Sequence, residues 1–420
     1  MQALNPISFL GNKQQTLVPK LILASAVLCV SATLLWRPPR RRKTPYELSP
    51  AKTLSSKHSK ARGESKGVDN DIEDLPYPPD TLPGARDVET PYGSIRVYEW
   101  GPQDGERVLF VHGISTPVVA LGDLGHEMVA RGYRVMMFDL FGRGYSDAPN
   151  DLAYDTRLFV TQLLLVLASS SIRWTPPTGF HLVGYSLGGG LSVAFTRYFP
   201  HLVRSLTLIA PCGLIRRRHV GWRSWLYYNS GLLPEVLVKR LVRRRIRPAA
   251  RKPADLVAAE SSERVAPVNG DGDANGGAGF DSAAISRTRP HVTVASVVAW
   301  QVDHHEGFVM AFLSTIRNAP IYAPQEDWRA LSRILQSRRH SGLRGPSGDA
   351  EVAAGLEGGK IFVVLGKDDG VIVMDEMIED AHAVLGREGV EVVVLEGGHE
   401  LPITSSGSVA ESIEGFWKSG

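Results

Sequence analysis

A serine, an aspartate and a histidine, each just past a stretch that reads as a strand, occur in that order along this 420-residue chain, and together such residues can carry out acyl transfer. Ser186 is the middle of Gly184-Tyr185-Ser186-Leu187-Gly188, a G-x-S-x-G pattern. Such a pattern also arises by chance, so its flanks decide its meaning. Phe180-His181-Leu182-Val183 reads as a short buried strand, and Gly189 to Tyr198 reads as a helix. A serine on a strand-to-helix turn is held in a strained backbone conformation that lifts its hydroxyl clear of the sheet. Gly184 and Gly188 fit because a Cβ at either position would crowd the turn. The competing reading is a glycine-rich helix start in an ordinary α/β sheet.

The partners follow in chain order. Lys360 to Leu365 is a continuous apolar run after its first residue, as expected of a strand buried on both faces, and it ends in Gly366-Lys367-Asp368-Asp369-Gly370. Val392 to Leu395 is another buried strand, running into Gly397-Gly398-His399-Glu400. A histidine past the last strand can meet the serine while an aspartate holds its ring from behind. That chemistry needs all three, because a neutral hydroxyl is a poor nucleophile until an imidazole takes its proton. Negative charge then builds on the attacked carbonyl oxygen and requires backbone donors. Leu187 N–H, directly after the serine, is one candidate. Arg107 to Val111 reads as an earlier strand followed by His112-Gly113-Ile114, and Ile114 N–H is the second. The His112 ring reads as structural, packed under its loop.

Together these pieces resemble the α/β-hydrolase superfamily, in its esterase and monoacylglycerol-lipase-like branch. The resemblance includes Phe138-Asp139-Leu140-Phe141-Gly142-Arg143-Gly144-Tyr145-Ser146-Asp147, similar to the family's loop after its fourth strand, and covers roughly residues 90–214 and 359–418. It implies an α/β fold with a mostly parallel eight-stranded-type sheet, helices on both faces and an inserted helical cap. It also implies Asp369 as the acid, three residues after Gly366 and three before Ile372, with Asp368 as the alternative and Val373 where the family often has proline. Serine at position 186 disfavours the epoxide-hydrolase and dehalogenase branches, which form their ester on a carboxylate. Leu187 departs from the tryptophan of proline iminopeptidase relatives, disfavouring a peptidase.

Around these motifs, β-α alternation predicts the sheet. Ile95 to Trp100 alternates as an early, half-exposed strand; Leu121 to Arg131 and Thr156 to Ser170 suit flanking helices. The hydrolase core is expected over residues 85–214 and 359–420. A helical cap is expected over 215–330, with a disordered Gly/Ala/Asp-rich insertion at 255–290, and a further loop insertion at 331–358. His304-His305 reads as ordinary helix surface, since neighbouring helical residues point about 100° apart. No clustered Cys/His spacing calls for a metal, and the reading includes no cofactor. Two cysteines, Cys29 and Cys212, and no N-x-[ST] sequon point away from a disulfide framework and toward a reducing compartment.

The formal net charge of +3 conceals an asymmetry. No acid precedes Glu47, while Lys13, Lys20, Arg37, Arg40, Arg41, Arg42 and Lys43 give the first segment +7, leaving −4 for the remainder. This excludes a uniformly basic nucleic-acid binder. Within residues 1–36, the stretch from Leu17 to Trp36 is apolar apart from Pro19 and Lys20. As a helix it would span about 30 Å, enough for a bilayer core, with the basic block behind it on the cytoplasmic side. The expectation is a single-pass membrane anchor with a cytosolic catalytic domain. The rival is a mitochondrial-type leader; a secretory signal fits less well because the basic block follows the apolar stretch. Residues 37–84 read as a disordered tether rich in Pro, Ser and charge. Arg216 to Lys252 is strongly basic, with Trp222, Trp225, Leu226, Tyr227 and Tyr228 beside the charges. That pattern suits either a solvated cap helix lining a pocket or a helix resting on anionic lipid. The functional expectation is a serine hydrolase that cleaves carboxylic esters of apolar or lipid-like acyl groups with Ser186, His399 and Asp369, through an acyl-enzyme. Its alternatives are an acyltransferase or thioesterase with the same residues, or a non-catalytic binding protein.

Overall fold

The computed structural model describes residues 45–50, 52, 75–175, 179–228, 232–248, 277–322, 326–343 and 355–419. The strands are β1 (Tyr46–Glu47), β2 (Arg86–Thr90), β3 (Gly93–Trp100), β4 (Arg107–Val111), β5 (Arg134–Phe138), β6 (Ala148–Pro149), β7 (Phe180–Tyr185), β8 (Val203–Ile209), β9 (Ile361–Gly366) and β10 (Val390–Leu395). The helices are α1 (Gly122–Ala130), α2 (Thr156–Ala168), α3 (Leu187–Tyr198), α4 (Trp222–Tyr228), α5 (Glu235–Ile246), α6 (Gly277–Ser282), α7 (Val294–His304), α8 (Phe308–Asn318), α9 (Glu326–Leu343), α10 (Met374–Leu385), α11 (Leu401–Thr404) and α12 (Ser406–Ser419).

Eight strands form one sheet in the order β10-β9-β8-β7-β4-β5-β3-β2. β2 and β3 pair antiparallel, as do β3 and β5; every other pairing in the sheet is parallel. Parallel strands covered by helices lose water on both faces, which is why β7 and β9 are buried at every position and β4 and β5 at all but their first. The half-exposed strand at this edge is β2, with alternating burial, whereas β3 is buried throughout. Its alternating polar residue Arg96 is not solvated: Nε and Nη2 donate to Asp87 at 2.8 and 2.9 Å, and Nη1 donates to Pro79 O at 2.6 Å. An ion pair on the sheet face thus replaces the water that alternation implied.

Several expected boundaries differ from the structure. Within the expected tether, residues 45–50 and 75–84 are packed parts of the core. β1 pairs antiparallel with β6, and Ser49 N–H donates to Asp147 Oδ1 at 2.7 Å. Tyr77 is fully buried, and its carbonyl accepts from Tyr145 Oη at 2.5 Å. Composition misreads such a segment because one well-placed aromatic and a few backbone bonds suffice to dock it. The first part of the expected loop at 331–358 is helix: α9 continues to Leu343 and buries Leu331 and Leu335, while 344–354 lie outside the described residues. The expected insertion at 255–290 ends earlier: α6 begins at Gly277 and buries Phe280. The expected membrane span at 17–36 lies outside the described residues. Among the described residues no helix is long and apolar enough to cross a membrane.

Helices α4 to α8 form the segment between β8 and α9 that covers the C-terminal ends of the strands. His305, just past α7, is buried rather than on the surface: Nε2 donates to Ser146 O at 3.0 Å. Gln301 bridges the same junction, donating to Ser115 O at 2.9 Å and accepting from Gly144 N–H at 2.8 Å. The cap is therefore tied to the core by hydrogen bonds in low dielectric, where an unpaired group is costly.

Candidate active site

Ser186 sits between β7 and α3 with φ 54° and ψ −118°, one of the few non-glycine residues at positive φ among those described. A conformation of this kind costs about 1–3 kcal/mol and survives only where its surroundings over-determine it. Here β8 and the turn do so: Ser186 N–H donates to Ile209 O, and Ser186 O accepts from Cys212 N–H and Gly189 N–H, all at 2.9 Å. The two motif glycines are required by close approach. A Cβ on Gly184 would lie 2.4 Å from Gly188 O, and one on Gly188 would lie 2.0 Å from Val111 O.

The Ser186 hydroxyl lies 3.0 Å from His399 Nε2, and His399 Nδ1 lies 2.9 Å from Asp369 Oδ2. A carboxylate only accepts, so Nδ1 carries the imidazole proton and Nε2 is left to accept from the hydroxyl. Asp369 is in turn fixed by its other oxygen, Oδ1, which accepts from Val371 N–H at 2.7 Å and Ile372 N–H at 2.8 Å. All three residues are buried. Asp368 is exposed, and its backbone N–H donates to Gly397 O at 3.0 Å; the carboxylate that His399 meets is that of Asp369. His399 is clamped by Tyr185, whose hydroxyl donates to His399 O at 2.6 Å, and its ring lies 5.2 Å from the Tyr185 ring and 5.6 Å from the Phe280 ring.

Ile114 and Leu187 line the same pocket as Ser186 and His399. Leu187 is the first residue of α3, so its N–H is among those a helix leaves without an internal partner, at the positive end of the helix dipole. The loop carrying Ile114 runs directly beside the serine: a Cβ on Gly113 would stand 3.4 Å from Ser186 Cβ. His112 anchors that loop from below. Its Nδ1 donates to Gly113 O at 2.8 Å and its Nε2 accepts from Leu140 N–H at 2.8 Å. Burial depresses this imidazole to about 3, so it stays neutral and holds both bonds. Cys212 also lines the pocket, but burial pushes its thiol up to about 12, which leaves it protonated and a poor rival to the serine.

Arg143 is fully buried and joins three parts of the site. Nε donates to Ile114 O at 3.2 Å, Nη1 to Phe141 O at 2.9 Å, and Nη2 to Thr315 Oγ1 on α8 at 2.9 Å. Burial lowers its guanidinium to about 10, still above physiological pH, so a cation is held here by carbonyl dipoles. The pocket beyond Ser186 is apolar, with Ile215, Phe280, Ile316, Ile321 and Val371 among its walls. Such a lining favours hydrocarbon and strengthens the electrostatics of the serine-histidine pair by excluding water.

Sequence reasoning did not identify Phe280, Arg143, Gln301 or His305. Phe280 carried a usable signal, being the only Phe, Trp or Tyr between Tyr228 and Trp300. An aromatic ring is more often buried than solvated, so one in a glycine-rich stretch marks a place where that stretch can dock. The other three act through contacts across more than 150 residues; Arg143 stands in the loop that resembles the family's and His305 in a pair read as helix surface, but no local pattern gives their partners.

Comparison with known proteins gives a family model described as alpha/beta hydrolase fold, matching residues 106–406. The 2-hydroxy-6-oxo-2,4-heptadienoate hydrolase of Pseudomonas putida is 33% identical over 112 residues, which are 26% of this chain and 39% of that protein. The "Probable lysophospholipase BODYGUARD 1" of Arabidopsis thaliana is 33% identical over 110 residues, 25% of this chain and 23% of that protein. The chain thus spans less than half the length of these relatives. Among solved structures, a bacterial membrane phospholipase A has the same fold with a TM-score of 0.52 and 17% identity, covering 96% of this chain and 99% of that one.

Proposed function

The chain belongs to the α/β-hydrolase family, and from that premise we propose that it is a serine hydrolase cleaving carboxylic esters of apolar acyl groups. The observation that carries this reading is the buried relay of Ser186, His399 and Asp369, at 3.0 and 2.9 Å, opening into an apolar pocket. Ser186 Oγ attacks the ester carbonyl carbon while His399 Nε2 takes its proton. The carbonyl π bond becomes an oxyanion held by the N–H groups of Ile114 and Leu187, and Asp369 stabilises the imidazolium. The C–O bond to the alcohol then breaks, and His399 returns its proton to the leaving oxygen. Water enters, gives a proton to His399 and attacks the acyl carbon. Collapse of that second tetrahedral species releases the acid and restores the serine.

An acyl chain is favoured over a polar group because the pocket walls are hydrocarbon, each buried CH₂ contributing about 0.8 kcal/mol. A lipid ester is the substrate class we favour, in keeping with the lysophospholipase name carried by one relative. The acid-free apolar segment before Glu47 is the proposed membrane tether, with the catalytic domain on the side of the basic block.

The test is labelling with a fluorophosphonate, followed by peptide mass spectrometry. The reading requires an adduct on Ser186 in the wild type and none in Ser186→Ala. It also requires loss of ester turnover by several orders of magnitude in that variant with the fold intact. Turnover persisting at the wild-type rate in folded Ser186→Ala would refute it.

A further inference from the structure

The two most exposed large apolar side chains of the described residues lie on the cap, with two more close by in sequence. Val236 is 82% exposed and Leu232 72%, with Trp225 at 51% and Leu237 at 42%. An isolated exposed leucine means little, but four within 13 residues form a patch that a soluble surface would have reason to avoid. Helix α5 supplies the context. Val238, Val242 and Ile246 form its buried stripe, one turn apart, against the rest of the cap. The opposite stripe carries Val236, Arg240, Arg243, Arg244 and Arg247 out to solvent. From Leu232 to Arg247 the chain holds six basic residues and one acid, Glu235, a net charge of +5. Asp303 engages Arg243 and Arg247, at 3.3 and 2.8 Å, and Glu235 is engaged by Arg317 at 3.1 Å. Arg240 and Arg244 still present their charge beside the apolar patch.

We propose that this face of α5, with Trp225 of α4, is a docking surface for an anionic lipid bilayer. The occupant is identified by its chemistry. A helix with an apolar tip flanked by arginines lies at the level where acyl chains meet negatively charged headgroups, each part meeting its complement. A protein partner would offer acids at fixed points, whereas a bilayer offers a continuous negative plane beside hydrocarbon, which matches arginines spread along a whole helix. The surface is also continuous with the candidate site. α5 packs on α8, and α8 supplies Ile316 to the pocket beside Ser186. Docking here would set the cap against the layer from which an apolar ester substrate comes. The inference deepens the proposed hydrolase reading and rests on it for that purpose, but binding itself does not require turnover.

The experiment reports from the patch itself, so that a membrane tether elsewhere in the chain does not mimic the result. In the full chain, Val236→Cys is combined with Cys29→Ser and labelled with a polarity-sensitive fluorophore, Cys212 being buried. Emission and quenching by aqueous acrylamide are followed on vesicles of phosphatidylcholine alone and of phosphatidylcholine mixed with phosphatidylserine. The proposal predicts a blue shift and protection from quencher on the phosphatidylserine vesicles only, reversed by high salt. Removing two interfacial arginines in R240Q/R244Q should raise the anionic lipid required by about 25-fold, at about fivefold per charge.

Three results would overturn it: no lipid-dependent shift, an equal shift on both vesicles, or a fluorophore already protected before lipid is added. The last would mean that another part of this chain or a second copy covers the patch. None of these bears on Ser186, so a failure here with fluorophosphonate labelling retained removes the docking surface alone. Loss of labelling with docking retained removes the hydrolase reading alone.

Discussion

Replacing Gly188 by alanine puts one methyl group where the structure has no room. Its Cβ would stand 2.0 Å from Val111 O, 2.6 Å from Val111 C and 2.8 Å from His112 O. An ordinary contact begins near 3.4 Å, so the methyl falls about 1.4 Å short, and the obstacle is backbone of β4 and its following loop rather than a movable side chain. Either α3 or the loop carrying Ile114 must shift. Overpacking of this kind costs about 1–3 kcal/mol. Both moving parts carry a proposed oxyanion donor, Leu187 on α3 and Ile114 on the loop. Misplacing one donor costs about 10²–10³ in kcat. The same substitution at Gly415 is the control: nothing lies within 4 Å of its Cβ, and it is exposed within α12. There alanine should stabilise by about 0.5–1 kcal/mol, because glycine is a poor helix former. Urea unfolding at 25 °C and ester turnover, measured on both variants, give the comparison. We expect Gly188→Ala to be destabilised and slowed at least 100-fold on the strength of the lost donor, and Gly415→Ala to be stabilised at unchanged rate. Equal stability of the two variants, or full activity in Gly188→Ala, would refute the close-approach argument.

Further outcomes follow from other parts of the site. Asp369→Asn should lower kcat by about 10³–10⁴ by removing the acceptor that fixes the His399 tautomer, whereas Asp368→Asn should retain the wild-type rate; the reverse order in steady-state assays would reassign the acid. Arg143→Met should destabilise by about 2–4 kcal/mol, because Ile114 O and Phe141 O lose a buried donor. Arg143→Lys should not restore it, since one ammonium cannot match a three-armed fork; urea midpoints of both variants check this. Stability should also fall with acidity. Burial depresses His112 to about 3 and His305 to about 4, so between about pH 6.5 and 4 the unfolded chain takes up two protons that the folded one refuses. Asp139, raised by burial to about 6, opposes this by one proton taken up in the fold. From these three groups the slope between pH 6 and 4 is about 1.4 kcal/mol per unit, with stability lost as pH falls; Asp147, also raised by burial, makes it shallower, and His305→Asn should flatten it further, whereas a wild-type profile that rises on acidification would contradict these shifts.

What was legible in the sequence is what short range controls. The G-x-S-x-G turn, the apolar runs of β7 and β9 and the residues at strand ends are each set within a few positions of one another. A strand's burial and a turn's strain leave a local pattern, and parallel strands under helices follow from the alternation of such patterns. The family resemblance extended this to Asp369, and the fold class it implied is the one observed.

The tertiary structure alone decided which groups meet. Neither Asp368 nor Asp369 differs in type, and only the turn after β9 buries one beside His399 and leaves the other in water. Tyr77 and Phe280 lie in stretches whose average composition reads as unstructured, yet each buries an aromatic ring against the core. Average composition measures whether a segment can fold alone, not whether a completed core offers it a place to dock. Arg143 is the clearest case. A cation in a loop is expected in solvent, and only after the cap closes on the core do Ile114, Phe141 and Thr315 surround it with enough oxygen to hold it there. Contacts across such separations are set by the whole fold's packing, so no local stretch of sequence records them.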